Sequence, residues 1–334
     1  MLNKFNFHMM LMFSIMISIS ANSWLGCWIG LEINLLMFIT IISNSINLMK
    51  SEASLKYFLI QAISSMNLLF IILLSMMYFK LFNYNYILSI MINISLFMKL
   101  GAAPFHFWFP NMMEGLSWMN CYILMTWQKI TPMILMSYYY NFNFLIIISL
   151  ISAITGAIGG FNQTALRKLM AYSSINHLSW LIIAMLMSNN MWNLYFMIYL
   201  ILMMMMCFMF YSFNSFYINQ LFFFKMNFEN KLFLLMNLLS LGGLPPLLGF
   251  LSKWIIIDFL INNNFYLLTT VLIMTTLITL YYYIQVSYSI MMIFYLKLKW
   301  TNHFFKINLL NIMNLISLIS LNFLILSTYF YFFI

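Results

Sequence analysis

The sequence predicts an all-α, polytopic membrane protein of about eleven transmembrane helices. Three observations carry this. The 334 residues are 65% hydrophobic and only 6% charged, so the chain cannot present an ordinary polar surface to water and its solvent is largely lipid. Apolar runs of about 20 residues recur along the whole length, each long enough to cross ~30 Å of hydrocarbon as a helix. Those runs are continuously apolar rather than alternating, which excludes a transmembrane β-barrel.

Taken in order, the runs lie at 5–22, 25–45, 57–79, 86–113, 120–140, 143–162, 171–188, 192–214, 232–260, 266–295 and 307–334. Lys4 precedes the first, which ends in small residues between Ser18 and Ala21 like a signal peptide. No exported soluble domain follows it, so it reads as the first span. No connection exceeds about twenty residues, and 1–334 is expected to form a single transmembrane proton-translocating domain. Cys27, Cys121 and Cys207 are far apart in apolar runs and read as small buried hydrophobes, with neither disulfide nor metal-ligand spacing. Thirty-four Met against a single Arg, with abundant Ile, Asn, Phe, Tyr and Lys, is the bias of an A/T-rich gene and points by codon logic to an organelle genome.

The net charge of +9 does not gather into a basic patch, so nucleic acid is not an expected partner. It follows topology instead. With the N-terminus on side A, Lys4, Lys50, Lys56, Arg167, Lys168, Lys225, Lys231, Lys297, Lys299 and Lys306 all fall on side A, and Lys80 falls on side B. This asymmetry makes A the side from which the chain inserted and leaves the C-terminus on side B.

Lys99, Lys129 and Lys253 remain, inside spans 4, 5 and 9, together with Glu32 in span 2. A charged side chain at mid-bilayer costs on the order of 2.5 to 3.5 kcal/mol even on the lenient insertion scale. A structural salt bridge between Glu32 and one lysine is the plain account, but one glutamate cannot neutralise three lysines. Burial and neighbouring positive charge both favour a neutral amine, which makes a row of such groups a candidate proton relay. The depths suit entry from side A towards Lys129 and exit past Lys253 to side B.

Two spans carry helix-breaking runs. Span 4 holds Lys99-Leu100-Gly101-Ala102-Ala103-Pro104, and span 9 holds Gly242-Gly243-Leu244-Pro245-Pro246 with Lys253 one to two turns beyond. Pro104, Pro245 and Pro246 lack the N–H of a continuing helix, and non-helical backbone at that depth occurs where it lines a cavity or is buried in protein. Spans 4 and 9 cross in opposite senses, so paired breaks predict an inverted repeat with two discontinuous helices, each with a lysine near its break. His106 and His177 lie in or near spans; a hydrogen-bonded structural role is the first reading of each, and a proton relay is the alternative. Gly26 and Gly30, and Gly156 and Gly160, have the spacing of close helix packing. No nucleotide, flavin or iron–sulfur fingerprint occurs, so neither a cofactor site nor a metal site is expected in this chain.

These residues resemble a known family. Asn22-Ser23-Trp24-Leu25, Gly30-Leu31-Glu32-Ile33-Asn34 and Glu52-Ala53-Ser54-Leu55-Lys56-Tyr57-Phe58 look like the opening of the NADH-ubiquinone oxidoreductase chain 2 family of respiratory complex I, in its insect mitochondrial form. The run KLGAAPFHFWFPNMMEG beginning at Lys99 is among that family's most specific stretches. Trp127-Gln128-Lys129, Leu166 to His177, Leu239 to Phe250 and Lys253-Trp254 extend the match to nearly the full chain. Ser179 departs from it where relatives often carry Gly, a small-for-small change.

The resemblance implies an antiporter-like membrane-arm subunit in the mitochondrial inner membrane, N-terminus in the matrix and C-terminus in the intermembrane space. It further implies that Glu32 and Lys99 form a modulating pair, that Lys129 is the central proton carrier and that Lys253 serves the exit side. NADH, FMN, iron–sulfur clusters and ubiquinone would then be bound by other subunits. The implied partners are those subunits, including neighbouring antiporter-like ones, and lipids including cardiolipin. A stand-alone cation/proton antiporter is the rival reading, and it needs more acidic residues in the core than Glu32 alone. A purely structural anchor leaves three buried lysines unexplained.

Overall fold

The computed structural model of the chain describes residues 2–43, 47–78, 85–223 and 228–291. The eleventh expected span at 307–334, and with it Lys80, Lys225, Lys297, Lys299, Lys306 and the C-terminus, lies outside the described residues. Among those described there is no strand, only an isolated bridge between Ala165 and Tyr217.

The first ten expected runs are helical. Six helices are long and apolar enough by themselves to cross a membrane: α2 (Trp24–Ile42), α3 (Leu48–Tyr78), α8 (Phe142–Gly160), α9 (Leu166–Met187), α10 (Asn189–Phe213) and α14 (Tyr266–Met291). The first run is α1 (Leu2–Ser20). Span 4 is α4 (Asn85–Leu100) and α5 (Trp108–Met113) around a break, and span 9 is α12 (Phe228–Gly242) and α13 (Leu248–Asn262) around another. Span 5 is also divided, into α6 (Trp118–Met125) and α7 (Trp127–Tyr138), a break the sequence reading did not anticipate. The ladder is interrupted at Thr126 itself, at φ −117° and ψ −71°, whose hydroxyl donates back to the Tyr122 carbonyl at 2.6 Å; inside α7, Pro132 leaves the Gln128 carbonyl without its helical donor. The short α11 (Ile218–Phe223) occupies what the sequence left as a connection.

The helices form two compact units, Met1–Ile151 and Ser152–Ile334. In the first unit, α1 packs on α2, α2 on α3, α3 on α4, α4 on α7 and α7 on α1, which closes a ring of helices. Close approach of α1 and α2 depends on Gly30, where an added methyl would stand 2.7 Å from Ser18 Cβ and 2.8 Å from its backbone nitrogen. Trp28 ties α2 to α3 by donating its indole N–H to the Ser65 carbonyl at 3.1 Å. Outward-facing Phe13, Met16, Leu36, Ile63, Met66 and Phe70 are exposed, as lipid-facing positions should be.

In the second unit α9 is buried along almost its whole length, with α10, α13 and α14 packed against it. One residue turns α9 into α10. Ser188, at φ −165° and ψ 154°, ends the first helix and caps the second, accepting from the Met191 amide at 3.2 Å. Polar residues on the buried faces of α9, among them Ser173, Ser174, Asn176 and His177, therefore point into protein rather than lipid.

Candidate functional site

Both breaks foreseen in the sequence end their helices in the same way. α4 stops at Leu100 because Gly101 adopts φ +70°, and the Ala102 amide donates to the Phe97 carbonyl at 3.2 Å. α12 stops at Gly242 because Gly243 adopts φ +86°. There the Leu244 amide donates to Leu239 O at 3.2 Å and the Gly243 amide to Ser240 O at 3.0 Å, the bond pattern of a Schellman cap. Glycine is the residue that enters this left-handed region without steric cost. Three residues beyond each glycine comes a cis proline, Pro104 in one unit and Pro246 in the other, so two stretches of unrelated flanking sequence share one backbone device.

Each break leaves the negative end of a half-helix in the interior, and each such end is associated with a lysine. Lys99 is in the last turn of α4 itself. Its own carbonyl, freed by the break, accepts from Gln61 Nε2 of α3 at 3.1 Å. Lys253 approaches from the other direction: from the second turn of α13 it reaches back and donates to Leu241 O at 3.2 Å and Gly242 O at 2.9 Å. Three lysines are thus almost wholly withdrawn from solvent and lipid, Lys129 at 1%, Lys253 at 5% and Lys99 at 7% exposure.

In the first unit, Lys99 and Lys129 line one cavity of about 20 Å³, room for roughly one water molecule. Asn34, Tyr57, Gln61, Gln128 and Thr131 supply its polar wall, and Leu31, Leu35, Trp108, Phe109 and Pro132 much of the apolar remainder. Gln128 donates to Asn34 Oδ1 at 2.8 Å, which links α7 to α2 beside the two amines. Lys129 Nζ stands 5.7 Å from the centre of the Phe109 ring, within cation–π range. The break at Thr126 and Pro132 bracket Lys129, so the third interruption positions the second lysine.

Glu32 is half-buried on α2 and does not line the cavity. It makes no ion pair within 4.0 Å of Lys99, yet its carboxylate acts on that lysine electrostatically. A fixed Glu32–Lys99 salt bridge is therefore not what holds the lysine in place. His106 sits in the connection between α4 and α5, stacked on Phe107 with ring centres 4.3 Å apart, and is not part of the cavity wall. His177, in the second unit, places Nδ1 2.8 Å from Tyr195 Oη. Among the described residues no group of three or more His, Cys, Asp or Glu comes together as a metal site, and Cys27, Cys121 and Cys207 are buried free thiols.

Sequence reasoning missed Asn34, Gln61, Gln128, Pro132 and the tyrosines around His177. The signal was present: amides recurring within otherwise apolar runs, and a proline three residues after a buried lysine.

The arrangement suits the uptake, holding and release of protons on amines kept from bulk water. Residues 21–279, a stretch that includes all four sequence-predicted charged residues, match the family described as NADH:quinone oxidoreductase/Mrp antiporter, transmembrane. The chain is 48% identical over 298 residues to the NADH-ubiquinone oxidoreductase chain 2 of Anopheles gambiae, covering 88% of this chain and 87% of the relative. Against the protein of the same name from Aedes aegypti identity is 50%, with the same coverage. Among solved structures, a chain of respiratory complex I from Thermus thermophilus superimposes with a TM-score of 0.83 at 19% identity, covering 96% of this chain and 77% of that one. A chain of the Mrp complex from Dietzia superimposes with a TM-score of 0.80 at 11% identity, over 96% of this chain and 74% of the other. These two establish the shared fold.

Proposed function

The chain belongs to the NADH-ubiquinone oxidoreductase chain 2 family, within the wider NADH:quinone oxidoreductase/Mrp antiporter group, and from that premise we propose that Lys129 is its central proton carrier. It is a membrane-arm subunit of respiratory NADH:ubiquinone oxidoreductase, a membrane protein of mitochondrial complex I. Electron transfer takes place in other subunits, which bind NADH, FMN, iron–sulfur clusters and ubiquinone. This chain supplies part of the proton path from matrix to intermembrane space, N-terminus in the matrix and C-terminus in the intermembrane space, and both units serve that one path. Neighbouring antiporter-like subunits and lipids, cardiolipin among them, surround it.

The observation that carries the reading is the placement of two amines, Lys99 and Lys129, on one small, amide-lined cavity walled off from lipid. Two positive charges so placed oppose one another, so the proton occupancy of one governs that of the other. Glu32, on the neighbouring α2, acts on Lys99 through space and without contact. A change of charge near Glu32, driven by quinone reduction elsewhere, alters that hold and with it the ability of Lys129 to retain a proton. Lys129 loads in one state and unloads towards Lys253 in the other. Lys253 can receive a proton because the resulting ammonium finds two carbonyls already aimed at it. The cation-antiporter alternative fares worse, since the cavity wall carries amides, a phenol and amines but no carboxylate.

The test is Lys129→Arg in the assembled complex. Arginine keeps the positive charge but does not release its proton at any pH of turnover. A fall of about a hundredfold in NADH-driven quinone reduction and in proton translocation together is expected. Turnover and proton yield both retained would overturn the assignment.

A further inference from the structure

The polar wall of the cavity in the first unit holds a pair of amides that the lysine scheme leaves without a task. Gln128 Nε2 donates to Asn34 Oδ1 at 2.8 Å, and the Tyr57 hydroxyl donates to Gln128 Oε1 at 3.4 Å. One side chain of α7 is thus held from α2 and from α3 at once. Asn34 and Tyr57 are each 3% exposed, and together with Gln128 they line the same cavity as Lys99 and Lys129. Amides placed there need partners, whereas two apolar side chains of similar shape would fill the space without that need.

Position supplies a reason for them. In the ring of helices α2 stands against α1 and α3, and α7 stands against α4 and α1. The Asn34–Gln128 bond therefore joins two helices that are not neighbours in the ring. It meets α7 where the backbone is least able to keep its own register. Thr126 interrupts the ladder two residues before Gln128, the Lys129 amide bonds only three residues back, to Thr126 O at 3.1 Å, and Pro132 leaves the Gln128 carbonyl without its helical donor. Gln128 directly precedes Lys129, and Asn34 follows Glu32 by two residues on α2. At the lysine, a side-chain bond to α2 takes over part of the holding that a regular helix does with its own ladder.

We propose that Gln128 is a positioning residue for Lys129, and that through Asn34 it makes the place of that amine in the cavity follow α2, the helix that carries Glu32. The inference rests on the proton-carrying role proposed above for Lys129. A displacement of α2 moves Asn34, Asn34 draws Gln128, and the adjoining amine changes its distance from Lys99. Tyr57 limits the travel, because it holds the same amide from α3. Gln128 exchanges no proton of its own and acts through Lys129 alone.

The test removes both amides at once, with Asn34→Leu and Gln128→Met together in the intact complex. Replacing both partners by apolar groups of similar shape is close to neutral for stability, whereas removing one leaves the other unpaired. Assembly, unfolding temperature and the KM for quinone are expected to hold, while NADH-driven turnover and proton translocation fall together by about tenfold. A bond that serves packing alone predicts no such split. Unchanged turnover in the assembled double variant overturns the proposal. Gln128→Asn supplies a second measurement, since it keeps an amide in the cavity but draws it one methylene short of Asn34. Turnover is expected to fall several-fold and to recover when Asn34→Gln restores the reach. Full turnover in an assembled Gln128→Asn complex, or a loss that Asn34→Gln leaves unrelieved, overturns the positioning role even where the apolar pair fails to assemble. Either contrary result beside an inactive Lys129→Arg complex overturns the positioning role alone, whereas an active Lys129→Arg complex removes the reading on which it rests.

Discussion

Lys253 donates to the Gly242 carbonyl at 2.9 Å across a break in the helix, so a side chain from one half-helix closes the end of the other. Its second bond, to Leu241 O at 3.2 Å, satisfies another carbonyl that the broken ladder would leave exposed in a medium without water. Lys99 has the complementary relation to its own break, lying in the last turn of α4 with its carbonyl held by Gln61. The negative end of a half-helix stabilises an ammonium by up to ~2 kcal/mol in partly buried settings, which offsets part of the cost of placing a cation at this depth. On the function proposed for Lys253, structure and proton chemistry are coupled here, because deprotonating it weakens the contact that holds the break.

Substituting Gly243 should show that coupling. Gly243→Ala forces a side chain into φ +86° and places Cβ 3.0 Å from Lys253 Cδ and Nζ. We expect a destabilisation of about 1 to 2 kcal/mol, seen as a lower unfolding temperature of the purified complex, with reduced proton yield per NADH. Gly101→Ala, at φ +70° with Cβ 3.2 Å from Phe109, should cost a similar amount.

Gln61→Leu removes the donor to the Lys99 carbonyl and leaves a buried acceptor unpaired. Loss of such a partner costs about 1 to 3 kcal/mol, so thermal stability should fall and Lys99 should lose its register in the cavity. Denaturation of the complex in detergent, scored beside turnover, measures both effects.

Pro132→Ala separates stability from function. It restores an N–H opposite the Gln128 carbonyl and should straighten α7 without weakening it. Lys129 would then move relative to Lys99, so coupled turnover is expected to drop while the unfolding temperature holds or rises. A drop in both would mean that the proline serves packing alone.

Glu32→Gln removes the carboxylate that acts on Lys99 without touching it. Assembly should survive, since no ion pair is broken, and NADH-driven turnover should fall several-fold, by about 1 kcal/mol of electrostatic coupling. Full activity in the assembled variant would remove Glu32 from the mechanism.

Much of this was legible in the sequence because the membrane admits few solutions. Continuous apolar runs fix helices, and the Gly-Pro clusters after Lys99 and Leu241 announced two breaks for the plain reason that neither residue continues a helix. Less visible was the break at Thr126, since no residue there bars a helix and Pro132 lies six positions further on, inside an otherwise ordinary run. Nor could the sequence foresee that Lys253 reaches backwards rather than forwards, or that Gln61, Gln128 and Asn34 meet Lys99 and Lys129, because those contacts join helices remote along the chain. Glu32 was expected to pair with a lysine, and no ion pair within 4.0 Å joins it to Lys99. His177 was weighed mainly as a structural histidine; its bond to Tyr195 is compatible with that role and with a relay.

The central claim is that Lys129 carries the proton, and Lys129→Met tests it in sealed membranes where quinone reduction and proton uptake are followed together. Methionine fills comparable space without a titratable group, so the complex should assemble. The account predicts that both activities are lost together while assembly and electron transfer to an artificial acceptor persist. Unchanged turnover with an unchanged number of protons moved per NADH would contradict it and leave the buried lysine a structural element.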